Sequence, residues 1–368
     1  MKKSFLIVIL LCCLFVAPTY AYSLEDVNTL SRNDVKKIVG NKIFDFSVAQ
    51  IAVNNGQVFM LTRDNKTRKM EWVLLDTAKK KIVAQGNCPF QAFFQFAISP
   101  DASTAVAISR YPASLWSLNL NSGKWKQVYQ PPKNKAGLFF LSVSPLDVVD
   151  SNTAISVLDQ QDAEGYVNDS FVVKFNLEGD CSYSKVFSLN ELNKKTFEKV
   201  GKDLKASDKA YSPKISDIIF GANDNYFYSF NIAAKNYLNG YIFQYLSAQT
   251  ITEVDKNGSF YPLDYNGSTL TGVYRKIDKD EVHIMFYSSG KTVSMGSVKA
   301  INASIMKDDL VGVIGVEGKS IKIYMGKPGE KLQLVKTLKE PFSGKFSRDG
   351  RYLILMNNEK IKTFRIGK

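Results

Sequence analysis

One histidine, His283, stands in 368 residues, and of four cysteines two, Cys12 and Cys13, fall within the first 21 positions. A lone histidine excludes a multi-histidine metal site, and any Ser-His-Asp arrangement has to use it. His283 sits in Glu281-Val282-His283-Ile284-Met285-Phe286, with Val282, Ile284 and Phe286 on one strand face and His283 on the other, as in an ordinary strand. Cys88 and Cys181 lack CxxC spacing, which argues against redox catalysis. No G-x-S-x-G elbow, P-loop or EF-hand loop is present. Asp159, Asp162, Glu164 and Asp169 crowd one stretch, but Gln160, Gln161 and Ala163 break any ligand periodicity. That stretch reads as a solvated connection rather than a calcium loop. No catalytic residue, metal or other cofactor is therefore assigned.

Arginine is scarce as well: Arg32, Arg63, Arg68, Arg110, Arg275, Arg348, Arg351 and Arg365 stand among 48 basic residues. Lysine is a hydrated point charge without the bidentate fork. The net charge of +13 thus reads first as a solubilising surface, and second as attraction to an anionic envelope component or acidic partner. No basic run exceeds Lys79-Lys80-Lys81, which disfavours nucleic acid.

Long apolar runs are missing outside residues 5–16. Lys2 and Lys3, that run, and the small residues at Thr19-Tyr20-Ala21 read as a secretory leader cleaved after Ala21. A run of about 12 residues is too short to span a bilayer. Cys12 and Cys13 lack the small preceding residue of a lipoprotein signal. The expectation is a periplasmic or secreted monomer with no transmembrane segment after cleavage. In such a compartment Cys88 and Cys181 are candidates for one disulfide, although one repeat unit would separate them.

What the chain does contain is rhythm. Residues 94–129 hold four short apolar runs separated by Ser99-Pro100-Asp101-Ala102, Arg110-Tyr111-Pro112 and Asn121-Ser122-Gly123. Proline at the second turn position with serine and aspartate beside it makes a tight reversal. Four antiparallel strands in about 36 residues is the size of one propeller blade. Residues 344–356 align with 96–108 without a gap, and looser strand–turn–strand echoes begin near 54, 144, 222, 266 and 307. Five of the six gaps between successive turns are 40 to 45 residues, and the sixth is 78. The expected fold is an all-β, seven-bladed β-propeller over 22–368, with a helical insertion at 188–214 between blades three and four. Ser188-Leu189-Asn190-Glu191 has capping-box spacing, and Leu189, Leu192, Phe197, Val200 and Leu204 share one helical face.

The Ser-x-Asp turn before an apolar strand, followed by Leu115-Trp116-Ser117-Leu118, resembles the repeats of bacterial exported WD-like and TolB-type propellers. That resemblance implies the fold and leaves the role open.

The last repeat lacks an outer strand, and residues 22–45 are expected to supply it and close the ring. Residues 24–30 suggest a short helix and 35–39 a strand. On the rim, the second-to-third-strand connections at 159–169 and 231–240 and the insertion gather at one place. They carry Tyr166, Tyr211 and Tyr237 together with Lys194, Lys195 and Lys235. Rigidly presented tyrosine suits recognition. The functional expectation is a non-catalytic scaffold binding a protein or other envelope ligand. The alternatives are a hydrolase or lyase acting on an envelope glycan or lactone through central-channel carboxylates, and a glycan-binding module. Converging charged side chains in the channel would favour the enzyme.

Overall fold

The computed structural model describes residues 22–367 apart from 41–42, 52–55, 64–66, 68, 134–135, 141–145, 180–181, 192–193, 195–213, 221–225, 235–236, 246–249, 256–257, 266–268, 277–279 and 287–290. For 43–51 and most of 214–292 only the backbone is described. The strands form six sheets. Sheet 1 is Ile43–Ile51, Gln57–Arg63, Met70–Asp76 and Lys81–Asn87. Sheet 2 is Phe93–Ile98, Thr104–Ser109, Leu115–Asn119 and Lys124–Tyr129. In sheet 3, Gly137–Phe140 and Leu146–Asp150 both pair with Thr153–Gln161, followed by Val167–Asn176 and Tyr183–Ser188. Sheet 4 has eight strands, Lys214–Phe220, Tyr226–Ala234, Tyr237–Tyr245, Thr250–Asp255, Gly258–Tyr265, Thr269–Lys276, Asp280–Phe286 and Lys291–Ser297. Sheet 5 is Ala300–Ile305, Val311–Glu317, Ser320–Gly326 and Gln333–Leu338. Sheet 6 is Ser343–Phe346, Tyr352–Met356 and Lys360–Gly367, with Ser23–Ser31 as its outer strand.

Apart from one parallel bridge in sheet 4, the strands pair antiparallel, and apolar faces of neighbouring sheets stack on one another. Phe59, Leu61 and Trp72 of sheet 1 meet Phe96, Ala105 and Leu118 of sheet 2. Val106, Ile108 and Leu115 of sheet 2 meet Ala154, Leu158 and Val173 of sheet 3. Val273 and Val282 of sheet 4 meet Ala303 and Val311 of sheet 5, and Ile314 and Ile323 of sheet 5 meet Phe346 and Phe364 of sheet 6. Ile354 and Met356 of sheet 6 then pack on Val58 and Val73 of sheet 1. Sheets 4, 5, 6, 1, 2 and 3 thus pack in unbroken succession, the arrangement of radial sheets in a ring: a β-propeller with six blades.

Two expectations are corrected here. The blade count is six, not seven, because the two units expected at 214–255 and 258–297 belong to one hydrogen-bonded sheet, bridged in parallel at Asn239 and Gly258. Turn spacing counts hairpins and cannot register a backbone bridge between them. The helical insertion at 188–214 is not seen either. The helices with defined bounds among the described residues are Arg32–Val39 and a 3-10 turn at Lys307–Asp309. Residues 192–193 and 195–213 lie outside the described residues. Helical periodicity in a short lysine-rich stretch is weak evidence, since a short helix depends on a tertiary partner to bury its apolar face.

At the N-terminus the expected elements are exchanged: Ser23–Ser31 is the strand and Arg32–Val39 the helix. Ser31 caps the helix, its Oγ accepting from Asp34 N at 3.1 Å while its own N–H donates to Asp34 Oδ2 at 2.9 Å. Val35 and Val39 are buried against sheets 1 and 6. The strand is tied to the neighbouring sheets by Lys336 Nζ on Asp26 Oδ2 at 3.0 Å and by Asn28 Nδ2 on Thr77 O at 2.7 Å.

Candidate functional site

Each meander turns between its first and second strands at one end of the ring and between its second and third at the other. The second end gathers exposed aromatics. In sheet 2 the connection carries Tyr111, 85% exposed, after Arg110, whose guanidinium lies 5.1 Å from the Phe94 ring. In sheet 3 it carries Tyr166, 72% exposed, beside Val167 at 52%. In sheet 4, Tyr237 opens the third strand opposite Ala234, with its side chain outside the described residues. Three consecutive meanders thus place a tyrosine at the same rim.

The loop before Tyr166 is held by its own backbone and acids. Asp162 Oδ1 accepts from Tyr166 N at 2.8 Å, and Asp162 N donates to Tyr166 O at 3.0 Å. Asp159 Oδ1 accepts from Ser170 Oγ. Asp169 accepts from Ser188 Oγ and from Asn190 N at 3.3 Å, so this loop and the start of the following crossover lie side by side. The three aspartates of this stretch are thereby engaged in turn and strand hydrogen bonds. Among the described residues no group of three His, Cys, Asp or Glu side chains is placed to hold a metal ion.

Next to this rim, a cleft of about 430 Å³ between sheets 2 and 3 is lined by Tyr129, Gly137, Gln160, Tyr183 and Lys185 among others. Tyr129 and Tyr183 meet edge to face at 5.3 Å, and Tyr129 Oη donates to Leu138 O at 2.6 Å. Burial, and secondarily Tyr183, pushes the Tyr129 phenol up to about 12. Lys185 Nζ sits 3.8 Å from the Phe171 ring centroid and donates to Gln160 Oε1 at 3.1 Å.

Of the residues singled out from sequence, Tyr166 lies at this rim, Tyr237 begins a strand there, and Lys194 is exposed. Tyr211, Lys195, Lys235 and Cys181 lie outside the described residues. The connection expected over 231–240 is mostly strand, since Ala234 pairs with Tyr237. Cys88 is a free thiol packed against the core between sheets 1 and 2, where burial, and then Glu71, raise its pKa. Sequence reasoning missed Tyr111, although Arg110-Tyr111-Pro112 marks the turn that exposes it.

The opposite end of the channel is charged. Asp147 and Lys345 lie on the first-edge strands of sheets 3 and 6, Asp264 lies on the fifth strand of sheet 4, and Arg348 lies in the turn after Ser343–Phe346. Arg348 Nη2 donates to Asp264 Oδ1 at 3.4 Å, while Asp264 Oδ2 accepts from Ile305 N at 2.7 Å. Burial raises the Asp147 carboxyl, opposed by Lys345, by the Val148 N–H and by Arg348. Asp147 precedes Asp264 by 117 positions and Asp264 precedes Arg348 by 84, and they share one field only because the sheets are radial.

The architecture places the chain among β-propeller proteins. No protein-family model and no curated protein sequence matches it. Solved structures do. The β-propeller domain of the trilobed protease from Pyrococcus furiosus, which has an open velcro topology, is 11% identical, with 89% of this chain and 95% of that one covered and a TM-score of 0.58. An oligogalacturonate lyase in complex with manganese is 9% identical over 94% of this chain and 99% of that one, TM-score 0.57. The acylaminoacyl peptidase of Pyrococcus horikoshii is 12% identical over 91% of this chain but only 54% of its own length, TM-score 0.57. At such identities the likeness is one of fold. Among the described residues no helix is long and apolar enough to cross a membrane.

Proposed function

We propose that this chain is an exported, non-catalytic propeller scaffold that binds a protein partner of the cell envelope through the rim carrying Tyr111, Tyr166 and Tyr237. The observation that carries the reading is the pair of tyrosines, 85% and 72% exposed, on corresponding connections of adjacent sheets. Large aromatics held on a rigid frame lose little side-chain entropy on binding, which is why tyrosine recurs at binding hot spots. Export rests on the leader-like pattern of residues 1–21. The test is capture of a partner from native envelope by the tagged protein. Replacing Tyr111 and Tyr166 together with Ala is expected to weaken capture by roughly 30-fold or more, the scale of about 2 kcal/mol for a hot spot, without lowering the melting temperature. Undiminished capture by the folded double variant overturns the site.

A second reading has its own observation. The charged groups converging in the channel favour the alternative of a hydrolase or lyase acting on an envelope glycan or lactone. Turnover of a lactone or glycan panel that is lost in Asp147→Asn, with the rim variants fully active, supports that reading over the scaffold.

A further inference from the structure

The cleft between sheets 2 and 3 has engaged its acceptors and kept its donors. Tyr129 Oη donates to the Leu138 carbonyl at 2.6 Å, and Lys185 Nζ donates to Gln160 Oε1 at 3.1 Å. Gln130 Oε1 likewise accepts, from Gln127 Nε2 at 3.4 Å. With their oxygens taken, the Gln160 and Gln130 amides have only N–H groups left to offer. Lys185 is exposed, keeps two further N–H groups, and is steadied by the Phe171 ring at 3.8 Å. Among the described residues lining the cleft, Lys185 is the one charged group. A ligand here therefore has to bring acceptors, and a carboxylate matches the ammonium.

The cleft also presents a flat apolar surface. Tyr183 is 46% exposed, yet its ring is set by Tyr129, edge to face at 5.3 Å, and by Phe175 at 6.1 Å. On the near wall Gly137 has a φ of +134°, and a Cβ there would collide with Pro132 Cγ, so the connection between the sheets is pressed against the start of sheet 3. The C–H groups on one face of a pyranose ring carry partial positive charge and suit the negative face of an aromatic ring. At about 430 Å³ the cleft is at the small end of ligand pockets, about 300–1,000 Å³, which suits a sugar ring or two. A proline-rich peptide also brings acceptors and flat rings, but no charge to match Lys185.

We propose that this cleft binds a uronic acid unit of an acidic glycan, its ring face on Tyr183, its carboxylate on Lys185 and its hydroxyl oxygens accepting from the Gln160 and Gln130 amides. The proposal does not rest on the tyrosine rim. The cleft uses none of Tyr111, Tyr166 and Tyr237, so partner capture and sugar binding can fail separately.

Ligand-observed NMR titration of the folded protein tests it. The probes are the methyl glycosides of D-glucuronic and D-galacturonic acid, each beside its neutral counterpart with a hydroxymethyl group in place of the carboxylate. At least one uronide is expected to bind saturably, about tenfold or more tighter than its neutral counterpart, the scale of one charge-assisted contact. Lys185→Met is expected to reduce that uronide to the affinity of the neutral sugar, and Tyr183→Ala to weaken both. Among the described residues Lys185 makes no ion pair, so Lys185→Met remains informative if Tyr183→Ala fails to fold. No saturable binding by either uronide, equal affinity for uronide and neutral sugar, an unchanged preference in folded Lys185→Met, or binding of hexaproline in place of the sugars overturns the proposal.

Discussion

Ser99 and Ser347 occupy equivalent places in sheets 2 and 6 and do the same work. Each Oγ donates to the aspartate two residues on, Asp101 or Asp349, at 2.6 Å, and accepts from the N–H five residues on, Thr104 at 2.9 Å or Tyr352 at 2.8 Å. Burial works against the charged form of both aspartates, but the hydrogen bonds from Ser99 and Ser103, and from Ser347 and Arg351, outweigh it and hold both carboxyls below their ordinary 3.8. A carboxyl lowered on folding contributes stability above its unfolded value and loses that contribution as pH falls through its folded one. Asp147, raised by burial, has the opposite sign, and its cost appears as pH rises through its folded value. Comparing variant with parent isolates the turn. Urea unfolding from pH 7 to 2.5 is expected to show a shallower loss of stability below about pH 4 in Asp101→Asn than in the parent. Identical pH profiles contradict the role given to the turn. The serine–aspartate spacing was legible in the sequence because it is local. The field around Asp147 was not, because its partners are Lys345, Arg348 and Asp264 on other sheets.

Elements were legible where a turn sits beside an alternating strand, as at Phe93–Ile98 and Thr104–Ser109 or Tyr352–Met356 and Lys360–Gly367. They were misread where context decides. A reversal placed near Ser144 belongs instead after Leu146–Asp150, where Asn152 N donates to Asp150 Oδ1 at 2.8 Å. Ser23–Ser31 has helical composition but takes the extended form because it fills the open edge of Lys360–Gly367. Tertiary pairing overrides weak propensity. The helix after it could have been found from Ser31-Arg32-Asn33-Asp34, a capping box with aspartate at the third position. Without that strand the last sheet presents unpaired N–H and C=O groups. Leu30, Val35 and Val39 would also lose burial worth about 1.5–3 kcal/mol each. A chain lacking residues 22–42 is therefore expected to melt cooperatively at a markedly lower temperature. An unchanged melting curve in scanning calorimetry refutes the closure.

At the scale of the molecule, the periodicity of the chain gave the class of fold and missed how two hairpin units share one sheet. A bridge as small as Asn239 to Gly258 leaves no mark on turn spacing. Both proposed sites depend on the ring. The tyrosine rim exists because corresponding connections of radial sheets emerge at one end, and the uronate cleft exists because sheets 2 and 3 stand side by side. The join that makes a ring of these sheets pairs Glu25 with Arg365, both exposed. In a background carrying Cys88→Ala and Cys181→Ser, the double substitution Glu25→Cys and Arg365→Cys tests it most directly. Under oxidising conditions the two thiols are expected to form an intramolecular disulfide that raises the melting temperature, since closing so long a loop is worth about 6 kcal/mol on the chain-entropy model. Thiols that stay free in the folded protein, or that link only between molecules, contradict the closed ring.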